Sequence, residues 1–316
     1  MTPAGPIAPW PVSRRLVLAT GVGTVLAGCA PSPSPSGTVS SSSSPSSTER
    51  VARAQAELAD LERELGGRLG VHAVSTATGV VVGHRADERF LMCSTHKVLA
   101  VAAVLRLAEQ RPGLLGRRIR YDRTQLLDHA PVTSQHVDEG MDVAALCEAA
   151  ITLSDNTAAN LLVDLVGGPA KVTEFVRTLG DPVTRLDRTE PDVNVGAPGD
   201  QRDTTTAAHM GANLRALALG SGLHPASRRR IVGWLRASTT GARSIRAGLP
   251  DDWEVGDKTG SGAHGEVNDV AVVWPPRHPP LVVAVYTAPS DPDSTSGYET
   301  VAAAYRIVSR ALAPTA

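Results

Sequence analysis

Four short polar segments lie far apart in this chain, and any fold that uses them together must bring distant parts of the sequence to one place. In chain order they are residues 94–97 (STHK), 154–156 (SDN), 190–194 (EPDVN) and 258–260 (KTG). Each segment alone is common at helix starts or surface turns, but the complete set in this order is not. The set therefore predicts one site, built from four separated segments.

Lysine usage indicates a chemical role for two of these segments. The chain has three lysines, and two of them, Lys97 and Lys258, lie within the polar segments, whereas the third is Lys171. An ammonium group can lose its proton when it is desolvated, but a guanidinium effectively cannot. In a site that transfers protons, Lys97 can therefore do what an arginine cannot, and Lys258 can serve as a compact positive charge.

The N-terminus has the features of an export signal. Arg14 and Arg15 precede a short apolar run that is not long enough for a membrane-spanning helix. The twin arginines resemble a Tat-type signal, and residues 26–29 (LAGC) resemble a bacterial lipobox, in which the cysteine is lipidated. We therefore expect residues 1–29 to be a signal with Cys29 as the lipidation site. The alternative is a plain secretory signal in which the cysteine is incidental.

Residues 30–48 are almost entirely Ser, Pro, Thr and Gly. Such a composition cannot bury a hydrophobic core, so we expect these residues to form a disordered tether. A tether of this kind would let a membrane-anchored domain stand away from the bilayer.

Composition limits what the rest of the chain, from residue 49 onward, can do. The formal net charge is −1 and aromatic residues make up 3% of the sequence, which argues against nucleic-acid binding because little basic or stacking surface is present. After Cys29, only Cys93 and Cys147 remain, too few for a disulfide framework. We expect these two to be buried, unpaired thiols.

Apolar periodicity predicts the order of helices and strands. A helix and two strands come first, a long helical region follows, and three strands and a helix end the chain. The predicted early elements are helix 50–66 and strands 69–75 and 79–84. The helices of the central region are 94–107, 142–151, 155–166, 169–179, 205–219 and 225–237. The last elements are strands 253–257, 269–274 and 281–287 and helix 296–312.

This order predicts a two-lobed α+β fold. Strands from both ends of the chain most simply form one antiparallel five-stranded sheet flanked by the terminal helices, and the central helices form an inserted all-helical lobe. We expect the sheet lobe to comprise 49–85 and 235–316 and the helical lobe to comprise 86–234. The active site should lie in the cleft between the two lobes.

Ser94 has the features of a nucleophile. It lies where a helix is predicted to begin, near the positive end of the helix dipole. Lys97 follows three residues later on the same helical face, and a neutral Lys97 can accept the proton of Ser94. The backbone amides of Ser94 and Ser261 can together form an oxyanion hole. The alternative is a helix-capping serine beside a solvated lysine.

The second and fourth segments carry groups suited to binding a substrate. Ser154 can relay a proton to a leaving nitrogen, and Asn156 can orient a substrate amide. Lys258 and Thr259 can hold a carboxylate, while Gly260 leaves room for close approach of the substrate. For both segments the alternative is local: a helix cap in the first case and a surface turn in the second.

Residues 50–314 resemble the class A serine β-lactamases, with all four segments in that family's order. In that family the serine is acylated by the β-lactam ring, and a glutamate of the Ω loop activates the water that releases the acyl group. The resemblance implies that Glu190 is this glutamate and that Asn194 helps to bind the water. It leaves open whether Lys97 or Glu190 is the base for acylation.

The resemblance also has consequences for the loop that carries Glu190. It implies an ion pair between Arg188 and Asp203 at the base of the loop. It implies a cis peptide bond between residues 190 and 191, although trans is the default for an X-Pro bond. Thr189 stands where the family frequently has tryptophan.

Several positions differ from the family pattern. His96 replaces a usual phenylalanine, and His129 stands where an aromatic residue commonly gates the cleft, so we expect His129 to contact substrate. Val267 and Ser244 occupy the two places where an arginine normally helps to bind the substrate carboxylate. Arg243 is adjacent, but we expect its side chain to point elsewhere. Substrate affinity should therefore be weakened or achieved in another way.

The function implied by the resemblance is hydrolysis of β-lactams, which gives antibiotic resistance. The implied protein is a monomer that needs no cofactor and no metal, and it is exported and then either lipid-anchored to the outer face of the cell membrane or secreted. A D-alanyl-D-alanine peptidase or other penicillin-binding protein is the second hypothesis, and Glu190 with Asn194 argues against it, because a peptidase has no need of a deacylating carboxylate. A non-catalytic wall-binding or sensor lipoprotein is the third, and the intact reactive residues argue against it.

Overall fold

The computed structural model describes residues 45–197 and 199–313. The predicted signal, the predicted lipidation site Cys29 and most of the predicted tether lie outside the described residues. The first helix, α1 (Ser47–Leu65), begins inside the C-terminal end of that tether. It begins there because Ser46 and Glu49 form a reciprocal capping box, in which each side chain accepts a hydrogen bond from the other residue's backbone amide. The predicted boundary at residue 48 is therefore too late.

A five-stranded antiparallel sheet lies at the centre of the fold. The strands of the described residues, numbered β1 to β9 along the chain, are Gly67–Ser75, Val81–His84, Arg89–Leu91, Arg118–Ile119, Met141–Asp142, Thr204–Thr206, Glu254–Ser261, Val267–Trp274 and Leu281–Pro289. The central sheet has the order β2-β1-β9-β8-β7, with every neighbouring pair antiparallel. Strands from both ends of the chain thus share one sheet, which confirms the prediction.

Helices cover both faces of this sheet. Numbered α1 to α8 along the chain, they are Ser47–Leu65, His96–Gln110, Val143–Thr152, Asn156–Val166, Pro169–Thr178, Ala207–Ala218, Pro225–Arg236 and Gly297–Leu312. The terminal helices α1 and α8 contact each other and pack on one face, and α6 packs on the other. Among the described residues, none of these helices is long and apolar enough to cross a membrane.

Both faces of the sheet are apolar because both are covered. Along β8, Val270 and Val272 belong to the core shared with the central helices, whereas Ala271 and Val273 belong to the core beneath α1 and α8. Successive side chains of a strand point to opposite faces, so a strand covered on both sides reads as a nearly continuous apolar run. This is why the late strands were identifiable from the sequence.

The inserted lobe is built around α2. Every residue of this helix from His96 to Leu105 is buried, as expected for a helix that is apolar on all sides. Two short ladders accompany the helices of this lobe, β3 with β6 and β4 with β5. The helix predicted at 205–219 therefore begins later, at Ala207, where the Thr206 side chain caps it. Ladders of two or three residues are too short to give a periodic signal in the sequence.

Strand β7 extends beyond its predicted end at residue 257. It continues to Ser261, so the entire K-T-G segment lies within the strand, with Thr259 opposite Asp269 and Ser261 opposite Val267. Pairing with β8 outweighs the weak strand propensity of lysine and glycine. The segment therefore presents both backbone groups and side chains along one edge of the sheet.

Candidate active site

The four polar segments meet where β7 passes the start of α2. Ser94 lies in a single 3-10 turn, Cys93–Thr95, which precedes α2 and packs against β7. A Cβ atom on Gly260 would lie 3.0 Å from the backbone nitrogen of Ser94 and 2.9 Å from the carbonyl oxygen of Met92. Glycine at this position is therefore what allows the strand to approach the turn so closely.

The carboxylate of Glu190 connects the serine and the lysine of the first segment. Ser94 Oγ donates a hydrogen bond to Glu190 Oε1 at 3.0 Å, and Lys97 Nζ lies 3.0 Å from the same oxygen. The side chains of Lys97 and Glu190 are fully buried, so solvent screens their attraction only weakly. Burial lowers the pKa of Lys97, and the adjacent Glu190 carboxylate opposes this effect.

Lys97 also contacts the S-D-N segment. Its Nζ donates to the backbone oxygen of Ser154 at 2.7 Å, to Asn156 Oδ1 at 2.6 Å and to Ser154 Oγ at 3.2 Å. Lys258 Nζ donates to the same hydroxyl at 3.0 Å. Ser154 Oγ therefore accepts a hydrogen bond from each of the two lysines. The hydroxyl therefore lies on a chain of proton carriers between the two lysines.

The pKa of Lys258 is lowered by its surroundings. Burial, reinforced by the positive charge of Lys97, lowers the pKa of Lys258 to about 7, although the carboxylates of Asp257, Asp269 and Glu190 act against this. Its Nζ also donates to the backbone oxygen of Thr259 at 2.9 Å. The charge of Lys258 therefore responds to pH in the range in which enzymes usually work.

Two residues of the site have backbone conformations that are uncommon for residues other than glycine. Cys93, just before the nucleophile candidate, has φ 47°, and Ser154 has φ 58°. Such conformations cost free energy and persist where the surrounding structure enforces them. Here the surrounding structure includes the Asp155 side chain, which accepts hydrogen bonds from the backbone amides of Val132 and Thr133 and so fixes the turn.

Hydrogen bonds with Asn160 hold both the amide and the carbonyl group of Glu190. Asn160 Nδ2 donates to the carbonyl oxygen of Glu190 at 2.9 Å, and Asn160 Oδ1 accepts from its amide, also at 2.9 Å. Asn194 Nδ2 donates to Glu190 Oε2. Burial acts to raise the pKa of Glu190, but the charge of Lys97 and the hydrogen bonds from Lys97 and Asn194 act together against it, and the pKa is lowered to about 2. Glu190 is therefore an ionised carboxylate at neutral pH.

The loop that carries Glu190 is closed at its base as predicted. Arg188 Nε lies 2.5 Å from Asp203 Oδ2, which confirms the predicted ion pair, and the bond between Glu190 and Pro191 is cis, which confirms that prediction. The backbone oxygen of Asn194 accepts from the amide of residue 263 at 2.9 Å, so the loop is also joined to the β7–β8 hairpin. These contacts fix the position of the carboxylate relative to the nucleophile.

Ser244 and Val267, at the two positions where an arginine normally helps to bind the substrate carboxylate, contribute no positive charge. Ser244 is fully buried and its Oγ donates to Asp269 Oδ2 at 2.7 Å, while Val267 is buried in the core. The guanidinium of Arg243, which we expected to point elsewhere, lies 4.3 Å from the ring centroid of Tyr298. The hydroxyl of that tyrosine is 3.1 Å from Ser261 Oγ. Arg243 is therefore next to the ring that contacts the exposed end of the K-T-G strand.

Thr259 and His129 line the cleft from different sides. Thr259 Oγ1 is 2.7 Å from Thr240 Oγ1 on the sheet side. His129 is exposed on the helical side, and its Nε2 donates to the carbonyl oxygen of Leu153 at 3.0 Å, directly before Ser154. The backbone amide of Asn156 also donates to the carbonyl oxygen of His129 at 2.8 Å, so the loop that carries His129 is joined to the second segment at the edge of the site.

The two cysteines of the described residues are buried and unpaired, as predicted. Burial raises the pKa of both the Cys93 and the Cys147 thiol. A thiol in this state is a weak nucleophile, so the neighbouring Ser94 remains the reactive group of the turn.

Sequence motifs did not reveal two residues of the site, Asn160 and Tyr298. Asn160 follows Asn156 by four residues on α4, so both lie on one helical face, and that spacing could have identified it. Tyr298 is the second residue of α8, and no local pattern relates it to the distant K-T-G segment. Its place depends on how the last helix packs beside the end of β7.

The site contains a serine next to a buried lysine and an ionised glutamate, and it lies in a cleft between a sheet and a helical lobe. This arrangement defines a serine hydrolase that acts through an acyl-enzyme. The chain belongs to the beta-lactamase enzyme family, whose model matches residues 53–313. More specifically, its relatives place it among the class A enzymes.

Similar proteins support this assignment along nearly the whole described chain. Beta-lactamase OXY-1 of Klebsiella oxytoca is 48% identical over 258 residues, which cover 82% of this chain and 89% of that protein. Beta-lactamase FAR-1 of Nocardia farcinica is 47% identical over 299 residues, which cover 95% of this chain and 96% of that protein. The solved structure of a class A beta-lactamase from Mycobacterium abscessus matches with a TM-score of 0.80 and 54% identity, covering 82% of this chain and 98% of that one.

Proposed function

We propose that this protein hydrolyses β-lactams through an acyl-enzyme on Ser94 and thereby gives resistance to these antibiotics. The observation that carries the proposal is the position of Glu190, whose ionised carboxylate contacts Ser94 and Lys97 through one oxygen and Asn194 through the other. One carboxylate can then serve both halves of a two-step hydrolysis. The names of the relatives support β-lactams as the substrate class.

In the acylation step, Ser94 Oγ attacks the carbonyl carbon of the lactam. Its proton goes either to a neutral Lys97 or, through a bound water, to Glu190. The new C–O bond forms as the C–N bond of the ring breaks, and the ring nitrogen takes a proton from Ser154, which Lys97 or Lys258 can replenish. The 3.2 Å and 3.0 Å contacts of the two lysines with Ser154 Oγ supply this relay.

Two backbone amides, those of Ser94 and Ser261, stabilise the negative charge on the carbonyl oxygen during both steps. The close packing of β7 on the Ser94 turn at Gly260 supports this role, because it brings the strand that carries Ser261 next to the turn that carries Ser94. Asn156 orients the amide of the substrate side chain, and His129 borders the entrance beside it. These donors are fixed by the fold before the substrate binds, so no reorganisation is needed during the reaction.

The carboxylate of the substrate binds at the K-T-G strand. Lys258 supplies the charge, Thr259 and Ser261 supply hydroxyl groups, and Arg243 on the Tyr298 ring adds a second positive charge in place of the missing arginine. This arrangement places the reacting ring over Ser94.

Deacylation distinguishes this proposal from a peptidase or penicillin-binding protein. Glu190 removes a proton from a water held with the help of Asn194, and the water oxygen attacks the ester carbonyl. The ester C–O bond then breaks, and the proton passes from Glu190 to Ser94 Oγ, which frees the serine. A penicillin-binding protein is acylated in the same way but lacks a carboxylate with this task. The buried, ionised Glu190 within 3.0 Å of Ser94 Oγ therefore favours hydrolysis.

We also propose export and lipid anchoring through Cys29. The twin-arginine and lipobox patterns support this, and the 299-residue similarity to FAR-1 reaches into the segment before the described domain. All four polar segments come from one chain, so we propose that a monomer is active. Labelling of growing cells with a palmitate analogue, compared between the natural chain and Cys29→Ala, tests the anchor.

A chromogenic cephalosporin assay on the purified protein tests the activity. Continuous turnover that is lost in Ser94→Ala supports the hydrolase. A single burst equal to the enzyme concentration would support a penicillin-binding protein or sensor instead. An absence of any reaction in a folded protein would favour a non-catalytic wall-binding module.

A further inference from the structure

His96 is a fully buried polar residue directly beside the nucleophile, and the mechanism above does not use it. It is 1% exposed and lies at the start of α2. Its Nδ1 is 2.9 Å from the carbonyl oxygen of Cys93. The backbone amide of His96 also donates to that carbonyl, so one peptide oxygen receives two hydrogen bonds from a single residue.

The contact fixes which nitrogen of the ring carries the proton. A carbonyl oxygen can only accept, so Nδ1 is the protonated nitrogen of His96. The other nitrogen, Nε2, is buried and has no hydrogen-bond partner among the described residues. Burial lowers the pKa of His96 and favours this neutral form.

The unpartnered Nε2 indicates that packing alone does not explain an imidazole here. A buried acceptor without a partner destabilises the folded state, and a benzene ring of similar size would avoid that cost. Within residues 45–197 and 199–313, the one hydrogen bond of the His96 side chain joins Nδ1 to the carbonyl oxygen of Cys93. The chemical reason to keep histidine at this position should therefore lie in that bond.

The carbonyl of Cys93 and the amide of Ser94 belong to the same peptide unit. A peptide unit is planar, with its oxygen and its hydrogen on opposite sides, so a group that fixes the oxygen also fixes the direction of the N–H. Cys93, which carries this carbonyl, has the uncommon φ of 47°, so the backbone that leads into this peptide is held in a conformation that the surrounding structure must maintain. A hydrogen bond to the oxygen also polarises the unit and makes its N–H a better donor.

We propose that His96 is a positioning residue, which holds and polarises the Cys93–Ser94 peptide so that the Ser94 amide is directed into the oxyanion hole. The inference rests on the proposed function, because it assigns an oxyanion role to that amide. It predicts that His96 affects the charge on the reacting carbonyl oxygen without contacting the substrate.

The test uses His96→Phe, which keeps the ring and removes the donor, and His96→Asn, whose amide nitrogen can take the place of Nδ1. Thr95→Val is the matched control. Thr95 is equally buried in the same turn, and its Oγ1 donates to the carbonyl of Met92 at 2.7 Å, one peptide earlier. We expect His96→Phe to lower kcat/KM by about 3- to 10-fold, chiefly through kcat, with His96→Asn close to the natural enzyme.

The infrared frequency of the ester carbonyl in the acyl-enzyme gives a more direct readout. With the acyl group trapped in a Glu190→Gln background, His96→Phe should shift this band to higher frequency, because a weaker oxyanion hole polarises the ester less. Thr95→Val should leave the band unchanged. An unshifted band in His96→Phe, or an equal shift in Thr95→Val, would overturn the inference.

The design separates this inference from the proposed function. If Glu190→Gln fails to trap an acyl group, the proposed deacylation step fails first. If the His96 variants do not fold, nitrogen NMR of the natural protein decides, because the inference requires a proton on Nδ1 of His96. A proton on Nε2 instead would contradict it.

Discussion

Lys97 and Glu190 lie 3.0 Å apart, Nζ to Oε1, with both side chains fully buried. Glu190 Oε1 also accepts the hydrogen bond of Ser94 Oγ, so the nucleophile, the amine and the carboxylate form one interacting group. The protonation of each member then depends on the other two. This relationship is consistent with either Lys97 or Glu190 as the base for acylation, and the second oxygen of Glu190, which contacts Asn194, is available for the proposed deacylation step.

Lys258 should give the enzyme an alkaline limit. Burial and the charge of Lys97 lower the pKa of Lys258 to about 7, so the free enzyme loses this positive charge as the pH rises through that value. Carboxylate binding then weakens, and we expect kcat/KM for a penicillin to decrease above about pH 7, chiefly through a higher KM. Lys258→Arg should remove this limb of the pH profile, because a guanidinium stays protonated. Identical profiles for the two proteins would contradict this assignment.

Arg243 should contribute to binding of the substrate carboxylate. Its guanidinium lies on the ring of Tyr298, beside Ser261, whereas Ser244 and Val267 are buried. We expect Arg243→Ala to raise KM for penicillins by about 10-fold with little change in kcat, because the interaction is the same in the ground state and the transition state.

Arg236 provides the control for this experiment. Its guanidinium lies 4.2 Å from the ring centroid of Trp274, a similar stack outside the site. Arg236→Ala should leave KM unchanged. If Arg243→Ala also leaves KM unchanged in a folded protein, Lys258, Thr259 and Ser261 hold the carboxylate without it.

Asn160 should affect deacylation more than acylation. It bonds both the amide and the carbonyl of Glu190, so Asn160→Ala frees the carboxylate to move. Small misplacements of a catalytic group cost up to about 100-fold in rate. We expect the acyl-enzyme to accumulate during turnover, measured by rapid quenching and intact-protein mass spectrometry. Asn213→Ala is the control, since Asn213 is a buried asparagine that bonds Asp181 outside the site. Equal accumulation in both variants would indicate general destabilisation instead.

The sequence predicted most of the fold because its signals are local and repeated. The apolar runs in β8 and β9 and at residues 98–105 of α2 are long enough for the apolar pattern to identify these elements. The β3–β6 and β4–β5 ladders were missed because two or three residues show no period. The end of β7 was missed because pairing with β8, rather than the propensity of Lys258 or Gly260, extends the strand.

The site was predictable to the extent that its chemistry lies in short motifs. Ser94, Lys97, Ser154, Glu190 and Lys258 were all found in this way, and the fold brings them together. What escaped prediction depends on tertiary packing: the stack of a surface arginine on the first turn of α8, and the bond from the His96 ring to the preceding turn. No local pattern encodes such contacts, because each joins elements whose relative position only the complete fold defines.

The central claim is that Glu190 is required to release an acyl group from Ser94, and trapping that group tests it most directly. Glu190→Gln is mixed with benzylpenicillin and followed over time by intact-protein and peptide mass spectrometry, with Ser94→Ala as the control. We predict a persistent adduct of one penicillin on the peptide that contains Ser94, formed while turnover decreases by about 10² to 10⁴. Unchanged turnover in Glu190→Gln, or an adduct that still forms in Ser94→Ala, would contradict the account.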